Sequence, residues 1–339
     1  YRDLPWRRTK DPYRIWLSEI ILQQTRVAQG LPYYHQFVKE FPNVKALATA
    51  PLQKVLREWQ GLGCYSRARN LHACAKMVVK EFKGKFPETF DDLKSLPGIG
   101  SYTAAAISSM AFNQPNAVVD GNVFRVLSRV FGIEDDIASG NGKKVFELKA
   151  QELIDNDQPG IFNQALMEFG AMQCTPRSPA CEDCIFSNGC FARKKSLQHL
   201  LPYKSKTVKV RNRYFTYFVL KKGTQLFMKK RNGKDIWTGL YDFYLIESNR
   251  PQTVGSLMAK DAMLHKLMKG AEVGEMEKIK HVLTHQRIDA RFVTVKLPKS
   301  FSGDALSSHG LRAFAIGKIK SLPKPVLISR FLSKKGILE

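Results

Sequence analysis

Leu96-Pro97-Gly98-Ile99-Gly100 lies between two stretches of helical periodicity and decides the fold of the N-terminal half of the chain. Pro97 ends the first helix, and the two glycines permit a tight turn with little side-chain bulk. The backbone N–H groups at the start of the next helix can then bind an anion. The pattern predicts a helix–hairpin–helix, which binds a DNA phosphate without reading sequence. An ordinary helix–helix turn is the alternative.

The charge of the chain favours the DNA interpretation. Of 339 residues, 54 are Lys or Arg and 30 are Asp or Glu, which gives a net charge of +24. Such an excess repels itself unless a polyanion offsets it, and nucleic acid is the commonest polyanion. A membrane surface is the alternative, but the sequence has no lipidation signal, no clear basic amphipathic helix and no run near the ~18 apolar residues that cross a bilayer. We expect a nucleic-acid partner and no membrane association.

The organisation of the chain indicates two domains joined by a linker. Residues 1–192 are predicted to be mostly helical, residues 193–213 to form a basic linker, and residues 214–339 to form an α+β domain. The apolar runs with helical spacing are 15–27, 52–59, 68–82, 102–112, 123–131, 145–154 and 162–172. In the second domain, strands are predicted at 214–220, 225–229, 241–246 and 290–297, and helices near 254–268 and 308–316.

Four of the six cysteines, Cys174, Cys181, Cys184 and Cys190, crowd into one short segment. The sequence shows no signal-peptide segment, so a disulfide framework is not expected. Thiolates this close together converge on a small centre, either zinc or an iron–sulfur cluster. Zinc sites usually pair two Cys-x2-Cys knuckles, and this segment has one. The spacing favours a [4Fe–4S] cluster, with zinc and unligated thiols as alternatives.

Two carboxylates stand out. Glu19 is the one acid in an apolar helical run, where burial would raise its pKa and prepare it to act as a general acid. Asp120 follows the apolar run Ala117-Val118-Val119 and precedes a predicted helix, where an ionised carboxylate is stabilised. Glycoside chemistry uses one acid for the leaving group and one carboxylate for the cationic sugar. The alternatives are a solvent-facing glutamate and an aspartate or Asn122 that only caps its helix.

These features together resemble the adenine DNA glycosylases, the MutY family, over nearly the whole chain. The stretches that carry the resemblance, besides the hairpin and the cysteine segment, are Leu4-Pro5-Trp6-Arg7, Trp16-Leu17-Ser18-Glu19, Leu22-Gln23-Gln24-Thr25, Gly61-Leu62-Gly63, Tyr65-Ser66-Arg67, Val119-Asp120-Gly121-Asn122 and Phe162-Asn163-Gln164-Ala165-Leu166. The resemblance implies a helical glycosylase domain, built from six-helix barrel-type and iron–sulfur modules, followed by a Nudix-like domain. It also implies an enzyme that removes adenine mispaired with 8-oxoguanine or guanine.

The resemblance implies roles for the catalytic residues. Glu19 matches the family's acid that protonates adenine at N7, and Asp120 matches the carboxylate that stabilises the sugar cation or its covalent adduct. Tyr102 and Asn122 match residues that support this chemistry. Bifunctional relatives place at the position of Tyr102 a lysine that attacks the sugar as an amine, which tyrosine cannot do. We therefore expect a monofunctional glycosylase that leaves an abasic site.

The resemblance implies DNA contacts as well. Gln24 matches the residue that is wedged beside 8-oxoguanine, and Arg7 and Gln164 match positions that line the adenine pocket. The target base must be flipped out of the duplex to reach that pocket. The other residues expected at the DNA are Leu22, Leu96, Gly98, Gly100, Cys64, Tyr65, Leu283, Thr284 and His285.

The C-terminal domain resembles the family's Nudix-like module, which senses 8-oxoguanine. His281-Val282-Leu283-Thr284-His285 matches its H-x-F-S-H loop, and Ile236-Trp237-Thr238-Gly239-Leu240-Tyr241-Asp242-Phe243 matches its tryptophan-bearing strand region. There is no acidic Nudix box, so we expect no pyrophosphatase activity. Four positions depart from the family pattern: Leu283 and Thr284 replace Phe and Ser, Cys64 replaces a tyrosine, and Asp242 replaces a glutamate.

Two other functions remain open on the sequence. One is an endonuclease III-like pyrimidine glycosylase with lyase activity, against which Tyr102, Glu19 and the long C-terminal domain count. The other is a non-enzymatic iron–sulfur protein that binds DNA. For the leading interpretation we expect a monomer that acts on duplex DNA in a reducing intracellular compartment, in the cytoplasm at the nucleoid.

Overall fold

The computed structural model describes residues 2–205, 210–233, 235–267 and 270–338. The chain divides into two compact units, the first of Tyr1–Thr49 and Asn70–Thr207 and the second of Ala50–Arg69 and Val208–Glu339. Across the described ranges, no helix combines the length and the apolar character that a bilayer-spanning segment needs.

Helices dominate the chain up to residue 205, as the apolar periodicity predicts. A short 3-10 turn, Pro5–Arg7, precedes them. The helices are α1 (Pro12–Leu22), α2 (Val27–Glu40), α3 (Val44–Thr49), α4 (Leu52–Glu58), α5 (Tyr65–Glu81), α6 (Phe90–Ser95), α7 (Ser101–Phe112), α8 (Gly121–Phe131), α9 (Gly140–Leu153), α10 (Pro159–Met172) and α11 (Phe191–Lys194). By the division above, α4 and the first residues of α5 belong to the second unit.

The predicted helical run 15–27 is wrong in one respect, because it is two helices. α1 ends at Leu22, Gln24 adopts a left-handed backbone conformation with φ of +56°, and α2 begins at Val27. The amide of Thr25 donates to the carbonyl of Leu22 at 3.0 Å and closes the turn. Neither glycine nor asparagine, the residues that usually signal such a turn, occupies this position. The sequence therefore carries no signal for the break.

Helix α7, which follows the hairpin, packs against α1, α6 and α10. Its inward-facing residues are small, and Ala104, Ala106 and Ser108 are fully buried. Small side chains allow neighbouring helix backbones to approach closely, so α7 fits between its neighbours. This packing brings the first turn of α7, with Tyr102, against the middle of α1.

The second unit contains a mixed seven-stranded sheet. Its strands are β1 (Arg211–Lys222), β2 (Gln225–Lys230), β3 (Tyr241–Asp242), β4 (Tyr244–Ser248), β5 (Glu272–Leu283), β6 (Gln286–Lys296) and β7 (Arg312–Ala315). They follow the order β3-β2-β1-β6-β5, with β4 on β1 and β7 on β2. Among the strand pairs of the described residues, β1–β6 alone is parallel, in a register from Arg211 opposite Gln286 to Lys221 opposite Lys296.

Both faces of this sheet are covered. In its described residues, the second unit has five helices after β4. They are α12 (Val254–Lys260), α13 (Ala262–Leu267), α14 (Asp304–Ser307), α15 (Ile316–Ile319) and α16 (Val326–Lys334). Leu264 of α13 belongs to one buried cluster with Phe218 and Val293. Phe331 of α16 stacks on Phe292, with ring centroids 4.3 Å apart. The central strand β1 is therefore buried on both sides, which explains its long apolar run.

Two predictions for the second domain are wrong, and two elements were missed. The run 308–316 is not a helix, since α14 ends at Ser307 and β7 pairs with β2. The run 254–268 is interrupted at Asp261, whose side chain accepts the amide of Leu264 at 2.9 Å and starts a second helix; residue 268 lies outside the described ranges. Strand β5 and helix α16 were not predicted. β5 lies at the edge of the sheet, where it pairs with β6. Its sequence therefore lacks the alternation of apolar and polar residues that would have predicted a strand.

The division into units departs from the predicted boundaries of 1–192, 193–213 and 214–339. Segment 50–69 belongs to the second unit, where Gln53 Nε2 donates to the Gly239 carbonyl at 3.3 Å and Arg69 Nη1 to the Thr238 carbonyl at 2.9 Å. Much of the predicted linker is part of the first unit, because Arg129 Nε donates to the Leu201 carbonyl at 3.2 Å. At its other end β1 already begins at Arg211, and residues 206–209 lie outside the described ranges.

The hairpin allows a matched test of its two glycines. Gly98 has φ of +77°, and an added Cβ would lie 2.6 Å from the Cβ of Asn70. We expect Gly98→Ala to lower the free energy of unfolding by about 1–3 kcal/mol. Denaturant titration measures this change.

Gly100 is the control, because its φ is −95° and an added Cβ meets nothing within 4 Å. We expect Gly100→Ala to change the free energy of unfolding by less than about 0.5 kcal/mol. Equal destabilisation by the two variants would contradict the backbone geometry described here.

Candidate active site

A cavity of about 470 Å³ in the first unit brings together all four predicted catalytic residues and four of the predicted DNA-binding residues. Its walls come from the N-terminal segment, α1, the α1–α2 turn, α7, the start of α8 and α10. The predicted residues that line it are Arg7, Glu19, Leu22, Gln24, Tyr102, Asp120, Asn122 and Gln164. The predicted residues that lie elsewhere are Leu96, Gly98, Gly100, Cys64, Tyr65, Leu283, Thr284, His285 and the four clustered cysteines.

Glu19 is a buried acid in this cavity. Its side chain lies on α1 and is only 8% exposed. The pKa of Glu19 is raised to about 7, chiefly by burial and in smaller part by the charge of the nearby Asp120. The hydrogen bond from Tyr102 and the charge of Arg7 act in the opposite direction. Near neutral pH, Glu19 can therefore both hold and release a proton.

Tyr102 fixes the orientation of this acid. Its hydroxyl donates to Glu19 Oε2 at 2.7 Å and lies 3.7 Å from the sulfur of Met167 on α10. Burial, followed by the neighbouring carboxylates, raises the pKa of Tyr102 well above its ordinary value. Tyr102 is therefore a neutral hydrogen-bond donor at any physiological pH.

Asp120 is both a helix cap and a cavity wall. It is the N-cap of α8, with Oδ1 accepting the amides of Asn122 and Val123, each at 2.8 Å, and Oδ2 accepting Asn122 Nδ2 at 2.7 Å. Burial raises the pKa of Asp120, and these three donors oppose the increase. The sequence left helix capping and a catalytic role as alternatives for Asp120. The two are compatible, because the carboxylate that caps α8 also lines the cavity.

A chain of hydrogen bonds connects Asp120 to the cysteine segment. Asn122 Oδ1 accepts Arg125 Nη2 at 2.8 Å, and Arg125 Nε donates to the carbonyl of Cys174 at 2.7 Å. Arg125 Nη2 also donates to the Gly170 carbonyl at 2.5 Å. Gly170 is needed here, because an added Cβ would lie 2.7 Å from the Cβ of Asn122. Helix α8 therefore connects the cavity with the cysteine segment.

The cysteine segment offers four thiols that form no disulfide. Arg129 Nη1 donates to Cys174 Sγ at 3.4 Å. Among the described residues, no three His, Cys, Asp or Glu side chains are arranged to hold one metal ion. Four thiolates can bind either a single zinc ion or the larger iron–sulfur cluster. The donor set fits a larger iron–sulfur centre, whose sulfurs accept hydrogen bonds of this kind.

Two neighbouring residues of α10, Asn163 and Gln164, point in different directions. Gln164 lines the cavity, whereas Asn163 is buried and bonds inward. Asn163 Oδ1 accepts the amide of Val118 at 3.0 Å, and its Nδ2 donates to Ser109 Oγ and to the carbonyl of Asn116, both at 2.9 Å. Asn163 thus fixes the segment that leads to Asp120.

Sequence reasoning missed Glu168. This residue is buried, and its carboxylate binds Arg2 and Arg7 on the N-terminal segment. Burial alone would raise the pKa of Glu168, but hydrogen bonds from both arginines outweigh it and hold the pKa well below its usual range. The available signal was the one used for Glu19, since Glu168 is the one acid in the apolar run 162–172.

Of the three hairpin residues predicted to contact DNA, the two glycines are accessible and the leucine side chain is not. Gly98 and Gly100 are exposed, and the first amides of α7 have no partner within the helix by its geometry. The side chain of Leu96 is buried, which leaves its backbone for the predicted contact with DNA. The Leu96 side chain contributes packing, and the turn that follows it is accessible.

Cys64 and Tyr65 differ in accessibility. Cys64 is exposed, with its sulfur 3.2 Å from Ser66 Oγ. Tyr65 is buried, and its hydroxyl donates to the Lys324 carbonyl at 3.3 Å. The Tyr65 side chain anchors segment 50–69 within the second unit, so in this arrangement it is not accessible for the predicted contact with DNA.

The predicted sensing residues occupy a hairpin tip in the second unit. β5 and β6 end in register at Leu283 and Gln286, which leaves Thr284 and His285 as a two-residue turn. Both turn residues are exposed. His281, on β5, is partly buried against Trp237, with ring centroids 5.6 Å apart, and burial lowers its pKa.

Comparison with known proteins gives three family matches. Residues 17–156 match the HhH-GPD superfamily base excision DNA repair protein, residues 174–190 the iron-sulfur binding domain of endonuclease III, and residues 216–334 the NUDIX domain. The second match begins and ends at the first and last clustered cysteines. It confirms the predicted iron–sulfur cluster, and the first and third confirm the predicted fold class.

Individual relatives agree with these matches. The adenine DNA glycosylase of Buchnera aphidicola subsp. Schizaphis graminum (strain Sg) is 37% identical over 246 residues, covering 71% of this chain and 70% of that protein. The human adenine DNA glycosylase is 45% identical over 209 residues, which are 59% of this chain but 38% of that protein. A solved thermostable thymine-DNA glycosylase aligns with a TM-score of 0.52 and 32% identity over 57% of this chain and 89% of its own.

The fold and the cavity define a base-excision DNA glycosylase of the helix–hairpin–helix class. The resemblance extends beyond that class, because the first relative matches over more than two thirds of both chains. The chain belongs to the adenine DNA glycosylase family. The expectation of an enzyme is thereby confirmed, and the two other functions left open by the sequence are set aside.

The buried acid predicts a dependence of stability on pH. The pKa of Glu19 is about 7 in the folded protein and 4.5 for the unperturbed group. The stability that protonated Glu19 contributes is complete below about pH 4.5 and is lost as the pH rises through about 7, up to about 3 kcal/mol. Glu19→Gln stays neutral, so we expect it to be more stable than wild type above about pH 7.

Thermal or denaturant unfolding across this pH range measures the effect. The difference in free energy of unfolding between variant and wild type should increase between about pH 4.5 and 7 and then stay constant. Glu152, an exposed glutamate on α9 that pairs with Lys149 at 2.9 Å, provides the control Glu152→Gln. A difference that does not change with pH would rule out the assigned protonation state of Glu19.

Proposed function

We propose that this protein excises adenine from mispairs with 8-oxoguanine or guanine in duplex DNA and leaves an abasic site. The observation that carries the proposal is the pairing, in one cavity, of a protonatable glutamate with a capped aspartate. Two carboxyl groups in different surroundings are the requirement for protonating a leaving base and stabilising the sugar cation it leaves behind.

The cavity receives the base after it leaves the stack. A base inside a duplex cannot reach buried groups, so the nucleotide has to be flipped out. Arg7 and Gln164 line the cavity and offer polar contacts to the edge of the base. Leu22 and Gln24 also line it, and Gln24 is exposed in its left-handed turn. We assign these two side chains to the space that the flipped nucleotide vacates.

Glu19 supplies the proton. Because the Tyr102 hydroxyl donates to Oε2, that oxygen is an acceptor, and Oε1 is the atom that carries the proton. With a pKa of about 7, the acid form is well populated at neutral pH. Transfer of this proton to adenine N7 turns the base into a better leaving group.

Asp120 stabilises the cationic sugar. Its Oδ1 already accepts two amides, whereas Oδ2 accepts one donor and keeps a lone pair for the sugar. The cap also fixes this oxygen in place, which is what electrostatic stabilisation of a transient cation needs. Water then adds to the sugar carbon and gives up one proton, which returns to the carboxylate of Glu19 and restores the acid.

The cavity supports a monofunctional mechanism. Arg2 and Arg7 are the cationic side chains among the described residues that line it, and lysine is not among them. An arginine stays protonated and does not form a Schiff base with the sugar. We therefore expect base removal without strand cleavage.

The clustered cysteines are the residues that would hold the [4Fe–4S] cluster. When bound, the cluster supplies a redox-capable centre that also cross-links its loop. The chain's own contribution is the hydrogen bonding of Arg125 and Arg129 to that loop. The basic residues nearby, such as Arg193 and Lys194 on α11, suit contact with phosphate.

The second unit is proposed to recognise the opposite base. A hydroxyl and an imidazole stand at the exposed tip formed by Thr284 and His285. They can distinguish 8-oxoguanine from guanine, because the lesion has an extra carbonyl acceptor and an N–H donor. We propose further that the protein acts as a monomer at the nucleoid, with the hairpin glycines on a DNA phosphate.

Single-turnover cleavage of a duplex with adenine opposite 8-oxoguanine tests the chemistry. We expect Glu19→Gln and Asp120→Asn each to slow base release by at least about 100-fold while DNA binding is kept, because each removes a charge or proton needed in the transition state. Cleavage at the wild-type rate by either variant would refute the role given to that residue. Strand scission as fast as base release would refute the monofunctional mechanism.

The hairpin tip is tested through preference for the opposite base. The double variant Thr284→Ala/His285→Ala should bring the rates opposite 8-oxoguanine and opposite guanine at least about threefold closer, since each lost hydrogen bond is worth about 1 kcal/mol. The matched control is Ser308→Ala/His309→Ala, another exposed hydroxyl–imidazole pair in the same unit. An unchanged preference in the first variant would remove the sensing role from this tip.

A further inference from the structure

Helix α10 carries a buried carboxylate to which the mechanism above gives no role. Glu168 Oε1 accepts the backbone amide of Arg2 at 2.8 Å and Arg2 Nε at 3.0 Å. Glu168 Oε2 accepts Arg2 Nη2 at 2.5 Å and Arg7 Nη2 at 2.7 Å. Arg7 Nη1 also donates to the carbonyl of Arg2 at 3.0 Å. One carboxylate thus fixes two guanidinium groups and the backbone of the N-terminal segment.

Arg7 connects this clamp to the acid. Its side chain is 9% exposed and lines the cavity, whereas Glu168 does not line it. The positive charge of Arg7 lowers the pKa of Glu19 and so opposes the effect of burial. A cation that moved closer to Glu19, or lost its own counter-ion, would favour the carboxylate form more strongly.

We propose that Glu168 is a positioning residue for base removal: it binds Arg7 against one wall of the cavity and thereby keeps Glu19 available as an acid. The inference rests on the function proposed above. Glu168 touches neither the base nor the sugar in this arrangement, and its effect reaches the reaction through Arg7.

The other charged and titratable groups around Glu19 are few. Tyr102 faces it from α7, and Asp120 faces it from the start of α8. From the N-terminal segment come Arg7 and, at the cavity wall, Arg2. Among the described residues of α2, only Val27 lines the cavity, so this helix adds no charge there. Arg7 is thus the one basic group among the causes that set the pKa of Glu19.

Charge balance gives the direction of the effect. In wild type, the Glu168 carboxylate offsets part of the positive charge of Arg7 and Arg2. Glu168→Gln keeps the size of the side chain and an acceptor oxygen but removes that negative charge. Arg7 then stabilises ionised Glu19 more strongly, the pKa of Glu19 falls, and less of the acid form remains at neutral pH.

The test is the pH profile of single-turnover adenine release between about pH 5 and 9. For Glu168→Gln we expect the alkaline limb to move to lower pH by about 0.5–1 unit. The rate near pH 8 then falls about 3- to 10-fold, while the rate near pH 5.5 stays within about twofold of wild type. An alkaline limb at the wild-type pH, or a rate lowered by the same factor at every pH, would overturn the proposal. A purely structural defect lowers the rate without moving the limb.

Further variants check that the effect passes through Arg7. Arg7→Met should move the limb in the opposite direction, to higher pH, because it removes the cation. Adding Glu168→Gln to Arg7→Met should then shift the limb by less than about 0.2 unit. Glu168→Asp keeps the charge and should restore the wild-type limb even where its rate is lower, which covers the case in which Glu168→Gln folds poorly. A further shift in the double variant would overturn the proposal.

The control and the reference variant separate this inference from the proposed function. Glu152→Gln removes a paired but exposed glutamate on α9 and should match wild type at every pH. If wild type releases adenine, Glu19→Gln does not, and Glu168→Gln follows the wild-type limb, only the role of Glu168 is wrong. If wild type releases no adenine, the proposed function itself is wrong. If Glu19→Gln releases adenine like wild type, the role given to Glu19 is wrong and the role of Glu168 falls with it.

Discussion

The cap that Asp120 forms on α8 is the interaction on which the rest of the site depends. Three N–H groups hold its carboxylate, so the start of the helix and the position of the anion in the cavity are set together. The same cap places Asn122, whose oxygen holds Arg125, and Arg125 in turn holds the carbonyl of Cys174. One helix N-terminus thereby organises both the cavity and the cysteine segment, and an uncapped α8 would disturb both.

The two carboxyl groups differ because their surroundings differ. Glu19 is almost fully buried and receives one hydroxyl, so burial dominates and its pKa reaches about 7. Asp120 is less buried and receives three N–H donors, which favour its charged form. The acid therefore lowers the stability of the folded protein at neutral pH. The stability is lost at a position where the chemistry requires a proton. Active sites commonly trade stability for function in this way.

Local signals made much of the fold and site predictable. The hairpin, the cysteine spacing and the Asp-Gly-Asn turn each lie within a few residues, and family resemblance gave them roles. Features formed by distant residues were missed, as with Glu168, which binds a residue 166 positions away. Side-chain direction was also not readable, so Leu96 and Tyr65 were expected at the DNA although the structure buries them. β5 was missed because an edge strand carries little apolar alternation.

Segment 50–69 has a consequence for the order of folding on the ribosome. It is synthesised before its hydrogen-bonding partners in the second unit, among them Gly239 and Lys324. Leu56 and Tyr65 are fully or nearly fully buried in the finished protein, so a nascent chain holds these apolar side chains without their final neighbours until the last strands and α16 have been made. A truncation after the first unit would leave the same surface uncovered, and such a fragment is prone to aggregate rather than to persist as a smaller enzyme.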